Sequence, residues 1–73
     1  MLAMVAGDRA RFEATTEQVG GRVRAYYTAT TGDGPERKHE YTTMIFPDDA
    51  QAAQWLQTEA DIRGVKSFPT KRI

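Results

Sequence analysis

The side chains that could act as a nucleophile and its base are one serine and one histidine. Ser67 and His39 are the sole residues of their types, and the chain has no cysteine. A catalytic serine needs a base within hydrogen-bond reach. Because His39 falls in a predicted strand and Ser67 follows a predicted helix, we interpret them as an exposed strand histidine and a loop serine. We therefore expect a protein that is not an enzyme.

Ligands for metals and phosphates are equally sparse. A single histidine without cysteine does not make a zinc site, and the adjacent acids Asp48 and Asp49 already have a role at the start of a helix. The segment Gly32-Asp33-Gly34 lacks the Gly-Lys-Ser/Thr ending and the following helix of a phosphate-binding loop. We expect no metal and no cofactor.

One acid stands within the apolar side of the predicted helix. Glu59 lies among alanines and Leu56, and Arg63 follows four residues later, the favourable spacing and order for an ion pair on a helix. We favour pairing of Glu59 with Arg63, with the long side chains reaching past their neighbours to water. The alternative is a buried acid with a functional role.

A group of basic and aromatic side chains is predicted to share one face of the sheet: Arg11, Arg22, Arg24, Tyr26 and Lys38. Such a face can contact phosphates or an acidic partner. We expect three acids on the same face: Glu13, Glu17 and Glu40. Since Glu17 should face Arg24 across a hairpin, the alternative is a solvated face of paired charges, and we favour that interpretation.

A two-residue turn at Gly20-Gly21 positions most of these side chains. The glycines supply the positive φ angles of a tight hairpin, and the turn sets a register that runs from Val19 opposite Arg22 to Phe12 opposite Ala29. Alternation then separates an apolar face from a charged one. The apolar face is predicted to hold Phe12, Ala14, Val23, Ala25, Tyr27 and Ala29.

The third strand is predicted at residues 37–46, after a connection at 31–36 that holds two glycines and a proline. Its alternation is less clean, and we assign Tyr41, Thr43 and Ile45 to the core face, with Phe46 curling over an edge. The end of this strand, residues 42–46, carries no charge. We expect the Phe68 segment or a second copy of the chain to cover it.

A helix is predicted near residues 49–63. Asp48 stands three residues before Gln51, the spacing of a capping box, and Gly64 stands where a left-handed residue would end the helix. Its apolar side is predicted to hold Ala52, Ala53, Trp55, Leu56, Ala60 and Ile62. Beyond it we expect a short edge strand through Phe68 and a basic tail at 69–73.

Length and charge limit the classes of protein that fit. The 73 residues make one domain with a thin core, in which residues 1–8 form a leader or a short extra strand. Ten basic residues balance ten acidic ones, so no general field favours nucleic acid or a membrane. No segment has the features of a signal peptide, and the lack of cysteine fits a cytoplasmic protein.

The predicted fold is α+β: a three-stranded antiparallel meander packed on one C-terminal helix, with a possible short fourth strand at an edge. This order, over Arg9 to Gly64, is similar to that of the arm-type DNA-binding domains of phage and transposon integrases, and of small phage-encoded inhibitor proteins. The resemblance is one of topology and implies no role for any residue.

We predict a non-enzymatic binding module that contacts a protein partner or a second copy of itself through its sheet face or an edge strand. The alternative is a weak nucleic-acid binder that uses the basic face. In that alternative Lys66, Lys71 and Arg72 would add to the arginines.

Overall fold

A computed structural model describes residues 10–32 and 34–73 of the chain. The elements in chain order are β1 (Arg11–Val19), β2 (Arg22–Thr31), β3 (Lys38–Phe46), α1 (Asp49–Ile62) and β4 (Thr70–Arg72). They form one sheet in the order β3-β2-β1-β4, with α1 on one side. The predicted fold class is confirmed. The predicted leader at 1–8, and Asp33 of the glycine-flanked segment, lie outside the described residues.

The hairpin of β1 and β2 has the predicted register. Val19 pairs with Arg22, and the pairing continues to Phe12 opposite Ala29 and Arg11 opposite Thr30. Gly20 has a φ of 61°, a left-handed conformation that costs glycine little. The turn therefore directs the apolar side chains of both strands to the side that faces α1.

Both ends of α1 are stabilised as predicted. The Asp48 carboxylate accepts a hydrogen bond from the Gln51 amide at 2.9 Å, which satisfies one of the unpaired amides at the helix start. At the other end Val65 N–H donates to the Ala60 carbonyl at 2.9 Å and Gly64 N–H to that of Asp61 at 3.0 Å. With Gly64 at a φ of 79°, this is a Schellman motif.

The core between α1 and the sheet is small. Its buried hydrophobic members are Phe12, Ala14, Val23, Ala25, Tyr27, Ala29, Ala52, Leu56 and Ala60. Five of these nine are alanines, so close approach of backbones takes the place of large side chains. Partly buried Phe46, Trp55, Val65 and Phe68 pack around it.

The face predicted for β3 is wrong. Met44 pairs with Ala25 and Phe46 with Val23, so these side chains share the α1 side of the sheet. Tyr41, Thr43 and Ile45 consequently lie on the opposite face. Because apolar residues occur on both faces of β3, alternation could not decide between them, whereas Phe46 gains a contact with Trp55 at 5.3 Å between ring centroids.

The segment after α1 also differs from the prediction. The strand is three residues long at Thr70–Arg72, within the part assigned to a basic tail, and it pairs in parallel with β1. Phe68 instead packs on Phe12, with ring centroids 4.8 Å apart. The Phe68 segment therefore packs on the β1 side of the sheet and does not cover the end of β3.

Two residues predicted on the apolar side of α1 are exposed, Ala53 and Ile62. The side chains that α1 buries are Ala52, Leu56 and Ala60, with Trp55 partly buried beside them. No helix in the described part of the chain has the length and apolarity needed to cross a membrane.

Candidate functional site

The sheet has a second face, turned away from α1, which we call the open face. Strand alternation and the observed registers assign to it Arg11, Glu13, Thr15, Glu17, Val19, Arg22, Arg24, Tyr26, Thr28, Thr30, His39, Tyr41, Thr43 and Ile45. Lys71 of β4 joins them opposite Thr15. The buried strand side chains all point the other way, so this face is the main surface that the described elements leave uncovered.

Four of the five predicted binding residues lie on the open face: Arg11, Arg22, Arg24 and Tyr26. The fifth, Lys38, pairs with Thr31 and shares the α1 side, as does Glu40 opposite Ala29. The prediction that these two lie beside the arginines is therefore wrong. Its cause is the same reversed alternation in β3 that misplaced Tyr41.

Arg24 is the most constrained cation of the open face. Its guanidinium donates to Glu17 Oε1 and lies over the Tyr26 ring, 5.6 Å from the centroid. The hydrogen bond and charge of Glu17 raise the pKa of Arg24. The predicted cross-strand pair is confirmed, so one of the cations on this face is already neutralised by its neighbour.

Aromatic and aliphatic side chains continue the open face onto β3. The Tyr26 and Tyr41 rings lie 6.1 Å apart, and Tyr41 and Ile45 are 64% and 50% exposed. Met44, on the other face of the same strand, is 45% exposed. Sequence analysis assigned Tyr41 and Ile45 to the core and so missed this apolar part of the surface.

On the α1 side, a polar network joins the end of α1 to β2 and β3. Tyr27 OH donates to Glu59 Oε1 at 2.8 Å, and Arg63 donates to the Tyr27 phenol oxygen at 2.9 Å. Arg63 also donates to Glu40 Oε1 at 2.7 Å and to Glu59 Oε1 at 3.2 Å. Pairing of Glu59 with Arg63 is thus confirmed, and Tyr27 and Glu40 are additional members that helix spacing alone could not indicate.

One guanidinium, that of Arg63, pairs with two carboxylates in this network. The Arg63 guanidinium lowers the pKa of Glu40, chiefly through its hydrogen bond, and burial raises the pKa of Tyr27. The Arg63 side chain is only 13% exposed, and its hydrogen bonds to Glu40 and Tyr27 join the end of α1 to β3 and β2. The arrangement is that of a structural clamp on the helix end.

The serine and histidine are not brought together. His39 is on the open face, where its Nδ1 lies 3.1 Å from Thr30 Oγ1. Ser67 lines a cavity of about 460 Å³ on the α1 side, with Leu56 and Phe68 among its walls. In residues 10–32 and 34–73 no group of three His, Cys, Asp or Glu side chains is arranged to hold a metal ion.

Comparisons of this chain with protein-family models, with curated proteins and with solved structures find no match. The residues and their geometry are therefore the basis for a functional proposal.

Proposed function

We propose that this chain is a non-enzymatic binding module that contacts a protein partner, or a second copy of itself, through the open face and the adjoining edge of β3. The observation that carries the proposal is the exposure of Tyr41 and Ile45 on that face. Burial of exposed apolar side chains against another protein is favourable because it removes apolar surface from water.

The distribution of exposed hydrophobic side chains supports this surface over others. Large exposed hydrophobic residues of the described chain are Val19, Tyr41, Met44, Ile45, Ile62 and Ile73. Three of these six belong to β3. Tyrosine and arginine are enriched where proteins meet, and Arg24, Tyr26 and Tyr41 lie next to one another on the open face.

The test compares two variants that each remove exposed apolar surface. Tyr41→Ser with Ile45→Ser changes the open face, while Ile62→Ser changes a residue of α1 that is 71% exposed. Sedimentation and affinity capture with candidate proteins should show association by wild type and by Ile62→Ser, and loss with the double variant. Equal association by all three proteins would refute a role for the open face.

A second function has one specific observation in its favour. The open face carries Arg11, Arg22, Arg24 and Lys71 against Glu13 and Glu17, while Asp48, Asp49, Glu59 and Asp61 lie on or beside α1. The face is thus positive within a neutral chain. Four-stranded sheets with exposed aromatic rings can stack the bases of single-stranded nucleic acid.

Titration separates this second function from the first. Oligothymidine and random duplex DNA would be added to the protein at low and at moderate salt, because phosphate contacts weaken steeply with salt. We expect no binding at low salt, since Glu17 already holds Arg24. Binding that is lost in Arg22→Ala and decreases with salt would favour the nucleic-acid function instead.

A further inference from the structure

The outer edge of β3 differs from the opposite edge of the sheet. β4 covers β1 at Ala14–Thr16, whereas no described strand pairs with the outer side of β3, which is nine residues long. An edge of this length presents a row of backbone donors and acceptors to any other strand. Its last six residues, 41–46, include neither a charged residue nor a proline, the two devices that usually prevent pairing.

We propose that two copies of the chain pair β3 with β3, antiparallel, about a twofold axis that passes through Thr43. The inference rests on the proposed function and names its partner as a second copy. Two four-stranded sheets would then form one continuous sheet, with both helices on the same side. A twofold axis perpendicular to the sheet makes the interface closed and self-complementary.

The side chains of β3 match one another in this register. Tyr41 would lie opposite Ile45 of the second copy on the open face, and both are exposed in the single chain. Thr42 would lie opposite Met44 of the second copy on the α1 side. Glu40 would lie opposite Phe46 of the second copy near each end of the paired segment, where its carboxylate keeps the hydrogen bond from Arg63.

The two adjacent registers match less well. An axis through Thr42 sets Tyr41 against Thr43 and His39 against Ile45, so the two exposed apolar side chains of the open face would not meet. An axis through Met44 sets Ile45 against Thr43 and leaves Tyr41 opposite Pro47, which lies beyond the end of β3. Direct pairing of Tyr41 with Ile45 therefore selects the axis through Thr43.

The surface beside the β3 edge on the α1 side supports the same occupant. A groove of about 370 Å³ there is lined by Phe46, Gln51, Gln54, Trp55 and Thr58. None of these side chains carries a charge, so a second copy that approached this groove would remove none of its lining charges from water. The uncharged strip thus extends from the strand onto the helix.

The first test uses one substitution at two neighbouring positions. Thr43→Lys places two lysines against each other at the proposed axis, while Thr28→Lys adds the same charge to the same face but on β2, inside the sheet. Both threonines are exposed. Sedimentation should show a dimer for wild type and Thr28→Lys, and a dissociation constant raised at least ~10-fold for Thr43→Lys, because like charges directly opposite one another repel.

The second test measures the register. The chain has no cysteine, so spin labels can be attached one at a time at Tyr41→Cys, Thr43→Cys and Ile45→Cys. Across an axis through Thr43, the pair at position 43 should be closest, at about 5 Å between Cβ atoms. The pairs at 41 and 45 should be equally separated, about 14 Å along the strands.

The outcomes separate this inference from the proposed function. A dimer that survives Thr43→Lys but is lost with Thr28→Lys would use the open face, which refutes edge pairing and retains the proposed function. Equal distances between the two labels at position 41 and between the two labels at position 43 would refute the register. A protein that stays monomeric at high concentration, with β3 amides that exchange freely with solvent, overturns the inference. The proposed function fails as well only if the double variant Tyr41→Ser with Ile45→Ser captures other proteins as well as wild type does.

Discussion

At the scale of single residues, Glu40 shows how the polar network should respond to pH. The hydrogen bond from Arg63 lowers the pKa of Glu40 from its ordinary value of 4.5, so the folded chain favours the carboxylate more than the unfolded chain does. That stabilisation is complete above the ordinary pKa and is lost as the pH falls through the folded value. Acid should therefore weaken the attachment of β3 to the end of α1.

Replacement of this acid gives a direct comparison. We expect the free energy of unfolding of wild type to fall more between about pH 6 and pH 3 than that of Glu40→Gln, because the amide has no proton to bind in that range. Urea denaturation at each pH measures the difference. Glu36→Gln, which changes an exposed acid of the connection before β3, is the matched control and should retain the wild-type dependence.

Leu56 and Trp55 show where sequence could identify anchors but could not rank them. Both were predicted on the apolar side of α1, yet Leu56 is 2% exposed whereas Trp55 is only partly buried. Burial depends on the width of the sheet below the helix, which no local pattern specifies. Helical periodicity identifies the contacting side of α1, whereas the limits of the contact come from the neighbouring strands.

The two residues should therefore differ in the cost of truncation. Leu56→Ala is expected to cost about 2–5 kcal/mol through the cavity it leaves, and Trp55→Ala less, because part of its ring already faces solvent. Thermal unfolding at low protein concentration would measure both. A larger loss with Trp55→Ala would show that the contacts of its ring with Tyr27 and Phe46 matter more than the buried leucine.

At the scale of elements, the sequence predicts features that depend on neighbouring residues and fails for features that depend on distant ones. The hairpin register follows from Gly20-Gly21, and the bounds of α1 follow from Asp48 and Gly64, because each depends on residues a few positions apart. The face of β3 and the partner of β4 depend on distant residues. Four members of the binding surface were found through the hairpin, whereas Lys38 was misplaced and Tyr41 missed through β3.

β4 is held at its edge by contacts with two other elements, β1 and α1. Ala14 N–H donates to the Pro69 carbonyl at 3.1 Å and Ile73 N–H to that of Thr16 at 2.9 Å. Arg72 donates to Thr16 Oγ1 at 3.0 Å and to Asp49 Oδ1 at 2.7 Å. A strand of three residues thus protects the β1 edge and ties it to the start of α1.

Removal of residues 69–73 should expose that edge selectively. We expect the amide of Ala14 to exchange with solvent much faster in the shortened chain, while the amide of Ala25, in the central strand β2, changes little. Lys71→Ala is the control, because it keeps the backbone hydrogen bonds of β4. Unchanged protection at Ala14 would mean that the Pro69 carbonyl does not hold this amide in solution.

At the scale of the whole molecule, the distribution of charge bears on how copies can associate. The acidic side chains on and beside α1 and the cations of the open face would attract one another if the helix of one copy lay on the sheet of the next. Such contacts do not close and would produce open chains of molecules. The proposed pairing along β3 would satisfy an unpaired edge and stop at two copies, so it would not lead to polymerisation.

Because the core is small, dimer formation should raise the melting temperature of the chain by a measurable amount. A single core in a chain of this length rarely supplies more than about 3–5 kcal/mol, and here five of its nine buried hydrophobic members are alanines. If the dimer binds folded chains only, mass action raises the melting temperature with concentration, by about 5 °C for each tenfold increase. We expect this dependence in wild type and Thr28→Lys, and in Thr43→Lys only at concentrations at least ~10-fold higher, measured by calorimetry over a range of concentrations. A melting temperature of wild type that stays constant over that range would show that the single chain is stable without the β3 contact, and that its thin core is sufficient.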